Sequence, residues 1–476
     1  MTFVSLEFLF FFPIVTAAYF AARQPGRQWL LVVASSLFYM AFVPAYLLVL
    51  YAMIGVDFVA ATLVERSEGR RRKAWLILSL AVNLGALAFF KYGGFVGENV
   101  NTLLSLLGMR AAVPTFEVVL PIGLSFHTFQ GMAYVIEVHR GRHPAERSLV
   151  AYALYVMFYP QLVAGPIERP QSLLPQLKEH HPFDAARAAR GLRRMLWGFF
   201  KKIVVADRIA LVVNAVYAAP SKYDGAILAI ATAGFALQIY ADFSGYSDIA
   251  IGAADVMGIE LRPNFRQPYV ARSVREFWSR WHMSLTSWFR DYLYIPLGGN
   301  RVGPARRTFN LMVTFLASGL WHGANWTYVT WGGLNGLLVV VETELGVKTT
   351  SRSVARLVLT FALVCVTWVF FRAASMHDAF VVFARLPRAL GALSHPAAVL
   401  AELSRLAIDT KRLGLTLLAA TAMLVLDAIA ARRETEPSEL FASLPRLPRW
   451  AVYWGLAGAI LLLGAFARQT FLYFQF

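Results

Sequence analysis

Cysteine is almost absent from the chain: Cys365 is the only one among 476 residues, and it lies in an apolar run. A single cysteine excludes a disulfide within the chain and a cluster of cysteine metal ligands. The sequence also has no HExxH pair with a third ligand and no GxSxG motif. It therefore gives no support to a zinc enzyme or to an α/β-hydrolase.

Charged residues are scarce as well, at 15% of the chain, whereas 58% of the residues are hydrophobic. Soluble domains carry roughly a quarter charged residues, so this composition predicts an all-α polytopic membrane protein. We expect residues 1–476 to form one integral membrane domain with about 11–12 transmembrane helices, since about twenty apolar residues make one crossing. Apolar runs that are long enough, or nearly so, lie at 3–22, 29–43, 45–64, 74–92, 117–137, 194–217, 225–254, 308–321, 325–346, 353–372, 412–431 and 449–467.

Acidic residues are outnumbered, with 28 Asp and Glu against 45 Lys and Arg, which gives a net charge of +17. Nucleic-acid binding is one interpretation of this excess. The basic residues cluster in short loops between apolar runs, however, and this favours membrane topology and anionic lipids as partners, with no nucleic acid. No Lys or Arg precedes the first run, so we expect a retained helix and not a cleaved signal peptide. Counting crossings from Arg23 and Arg27 places both chain termini outside the cytoplasm.

Two stretches do not fit a simple alternation of spans. The run 148–165 has basic residues on both flanks and is interrupted by Pro160, which predicts a re-entrant hairpin. The stretch 274–295 places Phe277, Trp281, Leu285 and Trp288 at helical spacing, with polar residues on the other side. It predicts an amphipathic helix at the cytoplasmic interface.

A histidine lies in the middle of the apolar stretch SGLWHGANWTYVTWGG (318–333). His322 follows Arg307 by about 22 Å along a helix, which places it past the midplane of the membrane. Gly323 and Asn325 indicate that the helix breaks there and opens a cavity. Ionisable groups at membrane depth are usually functional, so we interpret His322 as a site residue and not as a histidine buried for packing.

A second histidine, His282, lies in the interfacial stretch. A neutral imidazole suits proton removal from a hydroxyl group at neutral pH, and two such groups at different depths would line a path across the membrane. His127, in LPIGLSFHTFQGMAY, could line the same cavity, although a structural role is favoured for it.

Carboxylates also occur inside an apolar run. The segment IYADFSGYSDIAIG (239–252) places polar side chains in a predicted span, namely Asp242, Ser244, Tyr246 and Asp248. A buried carboxylate must be paired or protonated, so we expect partners among Arg280, Arg290 and the histidines. Structural pairing is favoured over catalysis. The alternative function, from a different class of protein, is a proton pathway in a transporter or flippase.

The motifs FWSRWHMSLTSWFRDYLYIPLGGNR (277–301) and SGLWHGANWTYVTWGGLNG (318–336) resemble the membrane-bound O-acyltransferase family, in its bacterial polysaccharide O-acetyltransferase branch. The resemblance extends over almost the whole chain and implies a helical ring around a central funnel, with interfacial helices, in the bacterial inner membrane. It also implies that His322 is the essential histidine and His282 the second one. Supporting residues are expected at Trp321, Asn325, Asp242, Ser244, Arg280, Arg290 and Asp291.

The terminal residues FLYFQF (471–476) resemble the extracytoplasmic aromatic motif of the polysaccharide-acetylating members. Tyr473 is their only hydroxyl group, and we predict that it takes the acyl group near His322 and passes it to an extracytoplasmic partner resembling an acetyltransferase or esterase. An aromatic plug at the interface is the alternative.

The resemblance implies transfer of an acetyl group from a thioester, acetyl-coenzyme A or an acetylated carrier, to a polysaccharide, with no permanently bound cofactor and no metal. A D-alanyl transferase is the alternative within the family. The phosphates or acidic surface of the donor could be held by a group of arginines, Arg262, Arg266, Arg272, Arg275 and Arg280.

Overall fold

The computed structural model describes residues 1–109, 113–115, 119–347, 353–392, 396–406, 410–466 and 471–472, and these ranges contain helices and no strand. The all-α class predicted from composition is confirmed. The α-helices are α1 (Leu6–Ala21), α2 (Gly26–Met40), α3 (Tyr46–Arg66), α4 (Gly69–Leu87), α5 (Gly93–Leu106), α6 (Leu124–His139), α7 (Leu149–Met157), α8 (Pro170–Lys178), α9 (Ala185–Phe199), α10 (Asp207–Tyr217), α11 (Gly225–Val256), α12 (Val274–Arg280), α13 (Met283–Phe289), α14 (Pro304–His322), α15 (Trp326–Glu344), α16 (Val354–Arg372), α17 (Met376–Arg385), α18 (Ala389–Ala392), α19 (Pro396–Arg405), α20 (Thr410–Arg432), α21 (Pro437–Ala442) and α22 (Arg446–Leu463).

Short π-helical and 3₁₀ segments interrupt or join these helices. The π-helical segments are Ala88–Tyr92, Phe200–Ala206 and Arg290–Tyr294, and the 3₁₀ segments are Pro220–Lys222, Pro268–Val270 and Leu386–Arg388. A π-helix has one more residue in a turn than an α-helix and often occurs at functional sites.

Each apolar run of the sequence overlaps at least one of these helices, and several helices are long and apolar enough to cross a membrane. Among the described residues, those with sufficient length and hydropathy are Tyr46–Arg66, Gly69–Leu106, Gly225–Val256, Val354–Arg372 and Lys411–Arg432. The chain is therefore a multi-pass membrane protein. The expected number of about 11–12 crossings and the ring around a funnel stay predictions.

The helices group into two compact units. One comprises Met1–Leu192 with Ala250–Arg262, and the other comprises Arg193–Ile249 with Pro263–Phe476. His282 and His322 both belong to the second unit. The organisation of residues 1–476 as one domain stays a prediction.

The interrupted run 148–165, in the first unit, does not form a long helix. α7 is followed by turns through Pro160, and it is too short to span a bilayer by itself. His127 of α6 holds this turn, because its Nε2 lies 2.6 Å from the carbonyl oxygen of Leu162. A carbonyl oxygen only accepts, so Nε2 donates. This contact supports the structural role that the sequence favoured for His127.

In the second unit, α14 and α15 pack so closely that two of their glycines, Gly319 and Gly332, have no room for a side chain. A Cβ atom on Gly319 would lie 2.4 Å from the carbonyl oxygen of Tyr328, and one on Gly332 would lie 2.4 Å from that of Phe315. Both oxygens belong to the backbone, so they cannot rotate away from an added side chain. This close approach fixes the end of α14, where His322 lies.

We expect Gly332→Ala to destabilise the protein by about 1–3 kcal/mol, because the added methyl group pushes α15 away from α14. The matched control is Gly333→Ala, since a Cβ atom at Gly333 meets only a leucine side chain, at 3.4 Å. Thermal unfolding of the detergent-solubilised protein measures both. A midpoint for Gly332→Ala equal to that of Gly333→Ala would contradict the prediction.

Candidate active site

His322 is the last residue of α14 and is only 3% exposed. Its ring is tied to its own helix, because Nδ1 lies 2.7 Å from the carbonyl oxygen of Ser318. Since a carbonyl oxygen only accepts hydrogen bonds, Nδ1 carries the proton of the neutral ring. Nε2 then has the lone pair, and this is the tautomer that a general base at Nε2 requires.

Aromatic side chains enclose this imidazole. The ring centroids of Trp321, Trp331 and Phe371 lie 4.8, 4.8 and 5.6 Å from that of His322, all at steep interplanar angles. Trp321, predicted as a supporting residue, therefore lies directly against the histidine. An enclosure of this kind excludes water and strengthens electrostatic interactions inside it.

The helix breaks directly after His322, as the sequence predicts. Gly323 is extended, and Asn325 caps the start of α15. The side chain of Asn325 accepts a hydrogen bond from the amide of Thr327 at 2.9 Å and donates one to the carbonyl oxygen of Ala374 at 3.4 Å. Its carboxamide therefore fixes the helix start, and its role in stabilising an oxyanion stays a prediction.

The prediction of one amphipathic helix over 274–295 is wrong in its middle. α12 ends at Arg280 and α13 begins at Met283, and between them His282 has φ 43° and ψ 53°. This left-handed conformation is uncommon for a residue with a side chain and interrupts the helix. The apolar residues expected to share one face are nevertheless all buried, namely Phe277, Trp281, Leu285 and Trp288.

His282 is completely buried, and Asn264 holds its ring. Nδ1 of His282 lies 3.0 Å from Oδ1 of Asn264, which also accepts a hydrogen bond from Oγ of Ser284 at 2.9 Å. The proton of the neutral ring is therefore on Nδ1, as in His322. Burial lowers the pKa of His282, and a second proton on His322 would lower it further, so the neutral ring of His282 is favoured at pH 7.

A single indole, that of Trp321, contacts both histidines. The ring of Trp321 has its centroid 6.2 Å from that of His282 and 4.8 Å from that of His322. The second unit thus brings together two histidines that are 40 positions apart in the sequence. Their depths in a membrane, which the sequence places at the inner mouth and past the midplane, stay predictions.

The carboxylates of α11 are paired, but not with the residues that the sequence suggested. Oδ1 of Asp242 lies 2.6 Å from Nζ of Lys202, and Oδ2 of Asp248 lies 2.6 Å from Nζ of Lys201. Lys201 also donates to Oγ of Ser244 at 2.9 Å. The expected pairing with Arg280, Arg290 or a histidine is therefore wrong.

The predicted arginines have nearer partners. Nη2 of Arg280 lies 2.9 Å from Oε1 of Glu276, one turn earlier in α12. Nε of Arg290 lies 2.9 Å from Oδ1 of Asp291, and the Arg290 side chain is 62% exposed. The side chains of these two ion pairs are partly or largely exposed. Roles in binding the donor stay predictions for Arg280, Arg290 and Asp291.

Two kinds of site residue are not predicted from the sequence. Asn264 lies in the loop before α12, and no motif marks it as the partner of His282. Lys201 and Lys202 stand in an apolar run, where two adjacent lysines are costly unless paired. That cost is the signal that identifies them.

Tyr473 lies outside the described residues, which include its neighbours Phe471 and Leu472.

The fold and the site together define a helical membrane protein with a tautomer-fixed histidine in its interior. A sequence model of the membrane-bound O-acyltransferase family matches residues 114–377, which is more than half of the chain. A Pseudomonas putida protein named "Probable alginate O-acetylase" is 40% identical over 388 residues, covering 80% of this chain and 79% of the relative. The Helicobacter pylori "Peptidoglycan O-acetyltransferase" is 33% identical over 409 residues, covering 78% and 77%.

A more distant relative is the "Teichoic acid D-alanyltransferase" of Streptococcus thermophilus, 29% identical over 234 residues, which cover 46% of this chain and 56% of that protein. These similarities show the family. The chain belongs to the membrane-bound O-acyltransferase family, and it is an O-acyltransferase.

Proposed function

We propose that the chain transfers an acetyl group from a cytoplasmic thioester across the membrane to hydroxyl groups of an exported or cell-envelope polysaccharide. The names of the P. putida and H. pylori relatives support a polysaccharide acceptor, since alginate and peptidoglycan are both glycans. The observation that carries the proposal is the tethered ring of His322, with its lone pair on Nε2.

In the proposed reaction, Nε2 of His322 takes the proton from the acceptor hydroxyl group. The oxygen attacks the thioester carbonyl, a C–O bond forms, and the C–S bond breaks. The imidazolium then gives its proton to the leaving thiolate, so atoms and charge balance. The enclosing rings of Trp321, Trp331 and Phe371 keep water from competing with the acceptor.

The donor is acetyl-coenzyme A or an acetylated carrier, and it is a substrate and not a resident cofactor. The indole of Trp321 contacts both His282 and His322, and Nδ1 is the protonated nitrogen in both rings. We assign His282 to the donor side, where its Nε2 accepts a hydrogen bond from the incoming group. The net charge of +17 favours a donor that carries phosphates or an acidic surface.

Tyr473 is the proposed carrier between donor and final acceptor. Its phenolic oxygen takes the acetyl group, and the resulting ester is then attacked by a hydroxyl group on the polysaccharide or on an extracytoplasmic acetyltransferase-like partner. Support comes from the residues next to it, since Phe471 and Leu472 are buried in the same unit as both histidines. The location that fits this route is the bacterial inner membrane, with both chain termini outside the cytoplasm.

D-alanyl transfer is the second candidate, and the similarity to the S. thermophilus protein favours it. The aromatic terminal motif within this chain favours acetylation. A transporter or flippase loses its main support, because Asp242 and Asp248 are paired with lysines and not with the histidines.

The proposal is tested in a strain that lacks the chain, complemented with the wild type or with Tyr473→Phe. We expect mass spectrometry of cell-envelope and secreted polysaccharides to show loss of O-acetyl groups in the deletion strain and recovery with the wild type only. Phenylalanine keeps the ring but has no oxygen to acylate. Full recovery with Tyr473→Phe would eliminate the carrier step but not the transferase, and D-alanyl loss without acetyl loss would favour the second candidate.

A further inference from the structure

The described end of the chain is held inside the second unit. Phe471 and Leu472 are 3% and 4% exposed. The amide of Leu472 donates a hydrogen bond to Oδ2 of Asp242 at 2.8 Å. The ring of Phe471 stacks on that of Tyr246, with centroids 4.5 Å apart and planes inclined by 26°. These residues are held by contacts with α11, which lies more than 200 positions earlier.

Asp242 divides its two oxygens between a lysine and the tail. Oδ1 accepts the salt bridge from Lys202, whose Nζ is also 2.7 Å from Oδ1 of Asp207. Oδ2 is then directed to the backbone amide of Leu472. A hydrogen bond to a charged acceptor is stronger than one between neutral groups. The buried ion pair therefore supplies an oriented anchor for main-chain atoms, whatever the side chain at position 472.

A second anchor holds the segment that leaves α22. Nε of Arg208 donates to the carbonyl oxygen of Leu463 at 2.6 Å, and the amide of Ala465 donates to the carbonyl oxygen of Ile203 at 3.2 Å. A Cβ atom on Gly464 would lie 2.3 Å from the carbonyl oxygen of Ile460 and 2.8 Å from the Ile203 side chain, so the chain requires glycine at this position. The path of the tail is thus constrained at 463–465 and again at 471–472.

The anchor at 471–472 lies close to His282. The ring of Phe243 has its centroid 5.8 Å from that of Phe471 and 4.7 Å from that of His282. One aromatic ring therefore separates the tail from His282. Phe243, Asp242 and Tyr246 all belong to the same two turns of α11.

We infer that Asp242, Phe243 and Tyr246 form a docking site for residues 471–472 of the C-terminal tail, and that Asp242 is a positioning residue that sets where these two residues lie relative to His282. The site, termed the tail dock, takes an aromatic-aliphatic peptide segment through one main-chain amide and one stacked ring. Its contribution to transfer rests on the function proposed above. Its occupancy by the tail does not, and it is measured separately.

The experiment uses the full chain with Cys365→Ala, so that Leu472→Cys supplies the only thiol. The cysteine keeps the backbone amide that Asp242 binds. The rate of N-ethylmaleimide labelling is then compared between this parent and variants of the dock. We expect Tyr246→Ala and Asp242→Ala each to label about tenfold faster, since tenfold corresponds to about 1.4 kcal/mol, the size of a lost ring stack or charged hydrogen bond.

Conservative variants separate docking from general loss of structure. Tyr246→Phe keeps the ring and Asp242→Asn keeps an amide oxygen as acceptor, so both should label slowly. Asp427→Asn is the matched control: it changes another buried carboxyl group of this unit, which accepts a hydrogen bond from the hydroxyl of Tyr240 at 2.6 Å, whereas the amide of Leu472 donates to Asp242. It should also label slowly.

Two results would overturn the tail dock: a parent that labels as fast as the unfolded protein, or folded alanine variants that label at the parent's rate. Acetylation by the same variants, without Leu472→Cys, is the second readout. Loss of transfer in Asp242→Ala but not in Asp427→Asn supports the positioning role, and equal transfer in both contradicts it. The labelling result does not depend on His322, whose substitution tests the transferase itself.

Discussion

Replacing His322 by glutamine is expected to lower acetyl transfer by about 10²–10⁴-fold, which is the usual contribution of a general base. Glutamine can still donate to the carbonyl oxygen of Ser318, so the end of α14 keeps its contact, but its amide has no basic nitrogen. The measurement is turnover of a thioester donor by the purified chain, together with its thermal midpoint. A folded variant that retains near-normal turnover would show that His322 is not the base.

His127 offers a matched control for this substitution. It is also 3% exposed, and its ring also donates to a backbone carbonyl oxygen, that of Leu162. His127→Gln removes a buried imidazole of the same kind from the first unit. We expect it to change stability while leaving turnover close to that of the wild type. Equal loss of turnover in both variants would mean that a buried histidine is needed for folding and not for chemistry.

Replacing Lys202 by methionine is expected to destabilise the protein by about 3–5 kcal/mol, because the substitution breaks a buried ion pair from one side. The side chain of Lys202 is 5% exposed and lies between two carboxylates, those of Asp207 and Asp242. Without the lysine both carboxyl groups lose their cationic partner. Thermal unfolding and the yield of folded protein in detergent measure the effect.

Lys178→Met is the control for this prediction. Nζ of Lys178 lies 3.0 Å from Oε2 of Glu146, but the lysine side chain is 51% exposed and the amides of Arg147 and Ser148 also donate to the carboxylate, so loss of the lysine should cost about 0–1 kcal/mol. Combining Lys202→Met with Asp207→Asn and Asp242→Asn should recover part of the lost stability, since no unpaired charge remains. Equal midpoints for Lys202→Met and Lys178→Met would contradict the proposed role of the buried pair.

The sequence predicted those features of the site that depend on local signals. The break after His322 follows from Gly323 and Asn325, which are residues typical of helix ends and helix starts. The helical class follows from composition and run length. The burial of Phe277, Trp281 and their neighbours follows from helical spacing, although the helix that carries them is split.

What the sequence could not predict depends on tertiary contacts. The left-handed backbone of His282 is uncommon for a histidine, and only the surrounding packing, including Asn264, holds it. The lysine partners of Asp242 and Asp248 stand about 40 residues earlier in the chain and the predicted arginines about 40 residues later, so separation along the sequence does not distinguish them. Ion pairing between segments so far apart depends on how the helices pack. The hydrophobic periodicity of one segment carries no information about it.

The π-helical segment Phe200–Ala206 constrains how the length of the chain can vary. It carries Lys201 and Lys202, which reach two acids six positions apart on α11, and it leads directly into Asp207. Deleting one residue here would rotate everything that follows by about 100° relative to the lysines. Asp207 would then lose its contact with Lys202, and Arg208 would lose its contact with the segment that leaves α22. Insertions and deletions should therefore be tolerated less in this short segment than substitutions of its apolar side chains.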